Sequence, residues 1–157
     1  MASEINGLRN AIVERLAGLE DFADTEVLGN APGDLANQVA QALASVGIYS
    51  LVCIPQGNGS PRQSQRPILD PLSVYVLIRE DPVNNQTGKD ATFLAERAYA
   101  ALQWWKPAID GAYMLTLTPD GMKEVPFRIK DDASNQDMEI HAWELLFHTK
   151  LALTPAT

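Results

Sequence analysis

Leu72-Ser73-Val74-Tyr75-Val76-Leu77-Ile78-Arg79 is the stretch on which the fold turns. It is rich in β-branched and aromatic residues and carries apolar side chains at both alternations, as a strand near the middle of a sheet does. Residues 48–54, Ile48-Tyr49-Ser50-Leu51-Val52-Cys53-Ile54, read the same way. Between the two runs lies Gln56-Gly57-Asn58-Gly59-Ser60-Pro61-Arg62-Gln63-Ser64-Gln65-Arg66-Pro67, which offers no core anchor and reads as a long connecting loop.

Working upstream, Ile5, Leu8, Ile12, Leu16 and Leu19 recur at three- and four-residue steps behind a possible Ser3 cap, which predicts a helix over 4–20. A short extended piece, Thr25-Glu26-Val27-Leu28, follows. Leu35, Val39, Leu43 and Val46 then predict a second helix over 34–46, with Gly47 placed for a left-handed cap. Downstream, Asp90 is positioned to cap a third helix over 91–105, which Pro107 ends. Tyr113–Thr118 and Met122–Lys130, flanking Pro119-Asp120-Gly121, predict a hairpin. Val125, Phe127 and Ile129 would share one face of its second strand, and Pro126 places that strand at an edge. A final strand over 138–153 sets Trp143, Leu145, Phe147, Leu151 and Leu153 on one face and should cross the whole sheet. The expectation is one α+β domain over 1–157, with a mostly antiparallel sheet of four to five strands against two to three helices.

Twenty acidic and twelve basic residues give a formal charge of −8. That balance repels a phosphate backbone, so nucleic acid is not an expected partner. The acid gathers at the front: residues 4–34 hold Glu4, Glu14, Glu20, Asp21, Asp24, Glu26 and Asp34 against Arg9 and Arg15. A solvated acidic face accounts for this. Cys53, the only cysteine, sits in an apolar run as a small inert filler and fits a reducing compartment. The first residues carry no apolar signal region, and no stretch reaches the ~18 apolar residues of a membrane span.

Chemistry-bearing patterns are sparse. Gly57-Asn58-Gly59 follows a strand but leads into no helix, so it does not form a phosphate cradle. His141 and His148, the only histidines, lie seven residues apart on one predicted strand and point to opposite faces. Asp131, Asp132, Asp137 and Glu139 lack the spacing and glycine of a calcium loop and read as a solvated turn. No serine or cysteine motif for nucleophilic catalysis appears, so no catalytic, cofactor or metal residue is assigned and no enzyme is expected. What remains points to protein partners. Trp104 and Trp105 would stand about 100° apart on the third helix. Two core tryptophans is the favoured outcome, with a partly exposed indole at Trp104 as the interface alternative. Asn58, Arg62 and Arg66 lie in the long loop, whose cations would meet the acidic front of a neighbouring copy in a head-to-tail contact.

The element order, with the opening helix Ile5–Leu16, the strand Leu72–Ile78, the helix Phe93–Leu102 and the closing strand His141–Thr149, resembles the tail-terminator and tail-completion proteins of long-tailed bacteriophages and related contractile machines. These are minor tail proteins. The second helix and the glycine- and arginine-bearing loop depart from that pattern. The resemblance implies a homo-oligomeric, often hexameric, ring that caps the tail tube and meets the head connector, in the host cytoplasm during assembly and then in the virion tail. Two other classes are expected to look different. A small-molecule enzyme or ligand-binding domain would show a deep pocket with perturbed carboxylates between sheet and helices, and a monomeric adaptor or chaperone would show one exposed apolar groove.

Overall fold

The computed structural model describes residues 3–29, 35–59, 66–109, 116–125, 127–131 and 136–154. Helix α1, Glu4–Ala17, starts where the Ser3 hydroxyl accepts from the Asn6 amide, and ends at Gly18, three residues earlier than its apolar period predicts. A 3₁₀ turn, Glu20–Phe22, buries Phe22 and leads into strand β1, Glu26–Gly29. Helix α2, Leu35–Ser45, follows, and Gly47 adopts the left-handed conformation expected of it, with φ +84°. Strand β2 spans Ile48–Gly59 and β3 spans Ile68–Glu80. The expected 56–67 loop is therefore shorter at its start, where β2 runs on to Gly59, and the strand expected from residue 72 begins at Ile68. Gln56, Gly57 and Gly59 pair with Ser73, Leu72 and Leu69, because backbone hydrogen bonding extends a ladder past the last core-facing side chain. Residues 60–65 lie outside the described residues.

Helix α3, Ala91–Leu102, is capped by the Asp90 carboxylate accepting from the Phe93 amide at 2.7 Å. It stops well before Pro107, which is not its terminator. Gln103 is extended and Trp104 turns left-handed at φ +59°, so the two tryptophans are not helical neighbours. The expected hairpin is also corrected. Pro119, Asp120 and Gly121 lie within strand β4, Thr118–Glu124, at a register irregularity between Pro119 and Met122, and β4 pairs with the last strand. The expected strand over 122–130 breaks into β4 and β5, Phe127–Asp131, while Tyr113 and Pro126 lie outside the described residues. Strand β6, Gln136–Ala152, closes the chain.

The fold is α+β with a mostly antiparallel sheet. Its order is β1-β2-β3-β6-β4, with β5 also on β6, and β1 runs parallel to β2. α1 and α3 cover one face over Val52, Val76, Ile78, Leu145 and Phe147, with Leu8, Ile12, Leu94 and Leu102 packed against them. On the other face α2 packs Ala42 and Leu43 near Tyr49, Leu51 and Ile140. Leu145, Phe147 and Leu151 are buried in the first core and Trp143 and Leu153 pack against it, the alternation expected of the last strand.

Candidate functional site

Trp104 is 61% exposed, although a large indole normally gains free energy by burial. Its conformation follows from its surroundings: the Trp104 amide donates to the Leu117 carbonyl at 2.7 Å and the Leu117 amide to the Trp105 carbonyl at 2.9 Å. This pairing forces the chain to reverse at a bulky residue, where positive φ costs on the order of 1–3 kcal/mol. The reversal sorts the tryptophans. Trp105 turns inward against the first core under the Arg15 guanidinium, 5.2 Å from the ring centroid, and Trp104 turns outward. The expectation of two core tryptophans is thus overturned. Val83, in the loop leaving β3, is the other large exposed hydrophobic among the described residues, at 87%.

Asn58 is exposed on the distal part of β2, where its side-chain oxygen accepts from Gln56 Nε2 at 3.2 Å. Arg62 lies outside the described residues. Arg66 donates from Nε to the Leu153 carbonyl at 3.1 Å, and its charge also acts on Glu4. The Glu4 carboxylate accepts from both the amide and the hydroxyl of Thr154. The Thr154 hydroxyl bond, with help from the Thr154 amide and Arg66, holds the Glu4 carboxyl below the usual carboxylate range. The Glu4 and Thr154 hydrogen bonds therefore tie the two ends of the described chain together, with Arg66 on the neighbouring Leu153 carbonyl.

The structure gathers a polar junction that the sequence pattern does not reveal. Glu80 is buried at the end of β3 and accepts from the Ala91 amide at 3.0 Å and from Asn85 Nδ2 at 2.6 Å. His141 stands between two carboxylates, with Nδ1 3.5 Å from Glu80 and Nε2 3.0 Å from Glu124. Buried Asp81 accepts from the Val83 amide and from Asn84 Nδ2, which closes the turn leaving β3, while Glu80 makes the bond to the first residue of α3. The only hint of this in the sequence is an acidic pair closing an apolar strand. The two imidazole nitrogens face different carboxylates, so the three groups do not converge on one ion. Among the described residues no group of three His, Cys, Asp or Glu side chains is placed to hold a metal. His148, on the other face of β6, is 3.3 Å from Asp120. Burial raises the Cys53 thiol and the Tyr49 phenol above their ordinary ranges, the latter against a 3.0 Å hydrogen bond from Arg79.

The concavities are open and shallow. One of about 520 Å³ lies between Asp24, the end of α2 and the loop at Asn84 and Thr87. Another, of about 310 Å³, lies over Tyr75 and Leu146, beside the irregular part of β4. No helix among the described residues is long and apolar enough to cross a membrane.

No protein-family model matches the chain, and no curated protein matches it. A solved structure does. A chain in the virion of a native gene transfer agent particle superposes with a TM-score of 0.59 at 14% identity, over 97% of this chain and 99% of that one. At that identity the match establishes a shared fold along almost the whole of both chains.

Proposed function

We propose that this chain is a non-enzymatic virion assembly protein that closes into a homo-oligomeric ring, caps a tail tube and joins it to the head connector. The observation that carries the reading is the end-to-end fold match with a chain of a virion particle. A fold hosts many functions, so the match gains weight only from what this chain presents. It presents an exposed indole held outward at a strained backbone position and open sheet surfaces with shallow relief. Such groups suit contact with protein surfaces, where partly exposed aromatics serve as anchors. In this reading Trp104 and Asn58 belong to partner contacts, while Arg66 supports the surface from within. Free energy for function comes from burying these surfaces, with no bond made or broken. The expected location is the host cytoplasm during assembly and then the virion tail.

The small-molecule alternative expects an enclosed pocket with perturbed carboxylates, whereas among the described residues the carboxyl held below its ordinary range, Glu4, lies at the surface and tethers the chain end. The experiment is electron microscopy of purified protein mixed with tail tubes assembled from the same virion. The expected result is rings in the protein alone and gold-labelled protein at one end of each tube. Label scattered along the tubes, or none bound, would overturn the reading.

A further inference from the structure

Trp104 and Val83 stand at opposite ends of the sheet. Trp104 follows α3 and pairs through its amide with Leu117, just before β4. Val83 lies in the turn after β3, and that turn is bonded to the start of α3, since Glu80 accepts from both Asn85 and the Ala91 amide. The 12 residues of α3 separate the two side chains, about 18 Å at ~1.5 Å per residue. The strands agree. Thr118 is level with His148 and, across β6, with Ser73, seven residues from Glu80, about 23 Å at ~3.3 Å per residue. Within one chain, therefore, neither side chain can cover the other.

A single exposed apolar side chain is ordinary on a surface. Here, however, the indole is held outward at a strained φ, and each end of the molecule carries a complement to the other. Beside Val83 lies the 520 Å³ concavity, to which Ala44 and Val46 give an apolar part and Asp24 a carboxylate. An indole suits such a site, packing its ring on the apolar part and donating its N–H, its one polar group, to the carboxylate. The charges match as well. Glu20, Asp24 and Glu26 are exposed in the acidic front, where the neighbouring cation Lys89 donates to the Asp21 carbonyl at 3.0 Å. At the other end Lys106 is exposed two residues beyond Trp104. Exposed Arg15 lies over Trp105 and donates to the Ala101 carbonyl at 3.2 Å. Unlike ends of two copies attract, and like ends repel.

We propose that Trp104 of one copy docks in the concavity beside Val83 of the next, with Arg15 and Lys106 facing Asp24 and its acidic neighbours. The two surfaces differ, so the contact is heterologous and passes from copy to copy, as a closed ring requires. This inference rests on the ring reading and names the surfaces that would build it.

Two measurements test it, both on the full chain. Light scattering compares the parent with Trp104→Gly, in which glycine suits the positive φ and the fold is kept, and with Asp24→Lys at an exposed position. Circular dichroism checks both variants. The inference expects an oligomeric parent, association at least tenfold weaker in Trp104→Gly and at least threefold weaker in Asp24→Lys. The second measurement treats Cys53→Ser chains carrying both Gln86→Cys and Gln103→Cys with a short bismaleimide. It expects a ladder of linked dimers and higher multimers, and no ladder when either new cysteine is present alone. An oligomeric parent for which either measurement fails overturns the inference and leaves the ring standing. A Trp104→Gly chain that keeps its mass but no longer binds tube ends overturns it in favour of a tube subunit as the partner of the indole. A parent that stays monomeric overturns both.

Discussion

Gly47 joins α2 to β2 where the loop after β3 packs against it, so replacing it with alanine tests how this end of the sheet is held. At φ +84° an alanine side chain costs roughly 1–2 kcal/mol. A Cβ there would also stand 2.5 Å from the Asn85 amide nitrogen and 2.6 Å from the Asn84 carbonyl carbon, so backbone has to move. That backbone is pinned, since the amides of Asn84 and Asn85 both donate to the Asp81 carbonyl and the Asp81 amide donates to Gly47. Losing one or two of these bonds adds about 1 kcal/mol each. The expected loss for Gly47→Ala is about 3 kcal/mol, or roughly 6–12 °C in Tm for a chain of this size. Gly88 supplies the control: its φ is +79° but a Cβ would meet nothing within 4 Å, so only the backbone strain applies. Urea unfolding followed by tryptophan fluorescence measures both variants. Equal losses for Gly47→Ala and Gly88→Ala would refute the close-approach argument.

Ser50 and Thr149 bury hydroxyls that make no hydrogen bond. Ser50→Ala and Thr149→Val should be neutral or stabilising within about 1 kcal/mol in the same urea assay, and a loss beyond about 2 kcal/mol would contradict the assignment. Glu4 has a lowered pKa in the folded state, so its stabilising contribution is present above the ordinary carboxylate range and is lost as pH falls through the lower folded value. Glu4→Gln should therefore flatten the acid limb of a Tm-versus-pH curve, and an unchanged limb counts against the Thr154 tether. Burial raises the Cys53 thiol, so alkylation by iodoacetamide at neutral pH should be slow in the folded chain and at least tenfold faster in urea. Equal rates would show the thiolate to be accessible.

The parts legible in the sequence are those where one side chain or one period decides the outcome. Ser3 and Asp90 cap helices because their oxygens reach the second or third amide beyond them, and Gly47 is left-handed as its position after α2 requires. The central strands were legible in Leu72–Arg79 because strands covered on both faces carry apolar side chains at both alternations. The distal part of β2 was not. Gln56, Gly57 and Gly59 join the sheet through backbone groups, which every sequence possesses. Pro119-Asp120-Gly121 reads as a turn because Gly121 does adopt positive φ, yet β6 alongside turns the kink into an irregularity within a strand. For the tryptophans, the helical period continued on paper, and the pairing of Trp104 with Leu117, a tertiary contact, ended it. The polar junction at Glu80, His141 and Glu124 joins residues from three strands far apart in the chain, so no local spacing announces it.

Sedimentation velocity on the purified chain over a wide concentration range tests the central claim most directly, since that claim is that surfaces of this protein exist to bind copies of itself. One species at a fixed whole-number multiple of 17.1 kDa, holding its size across dilution until it dissociates cooperatively, is the predicted result. A single 17.1 kDa species at every concentration, up to the highest that stays in solution, would contradict it.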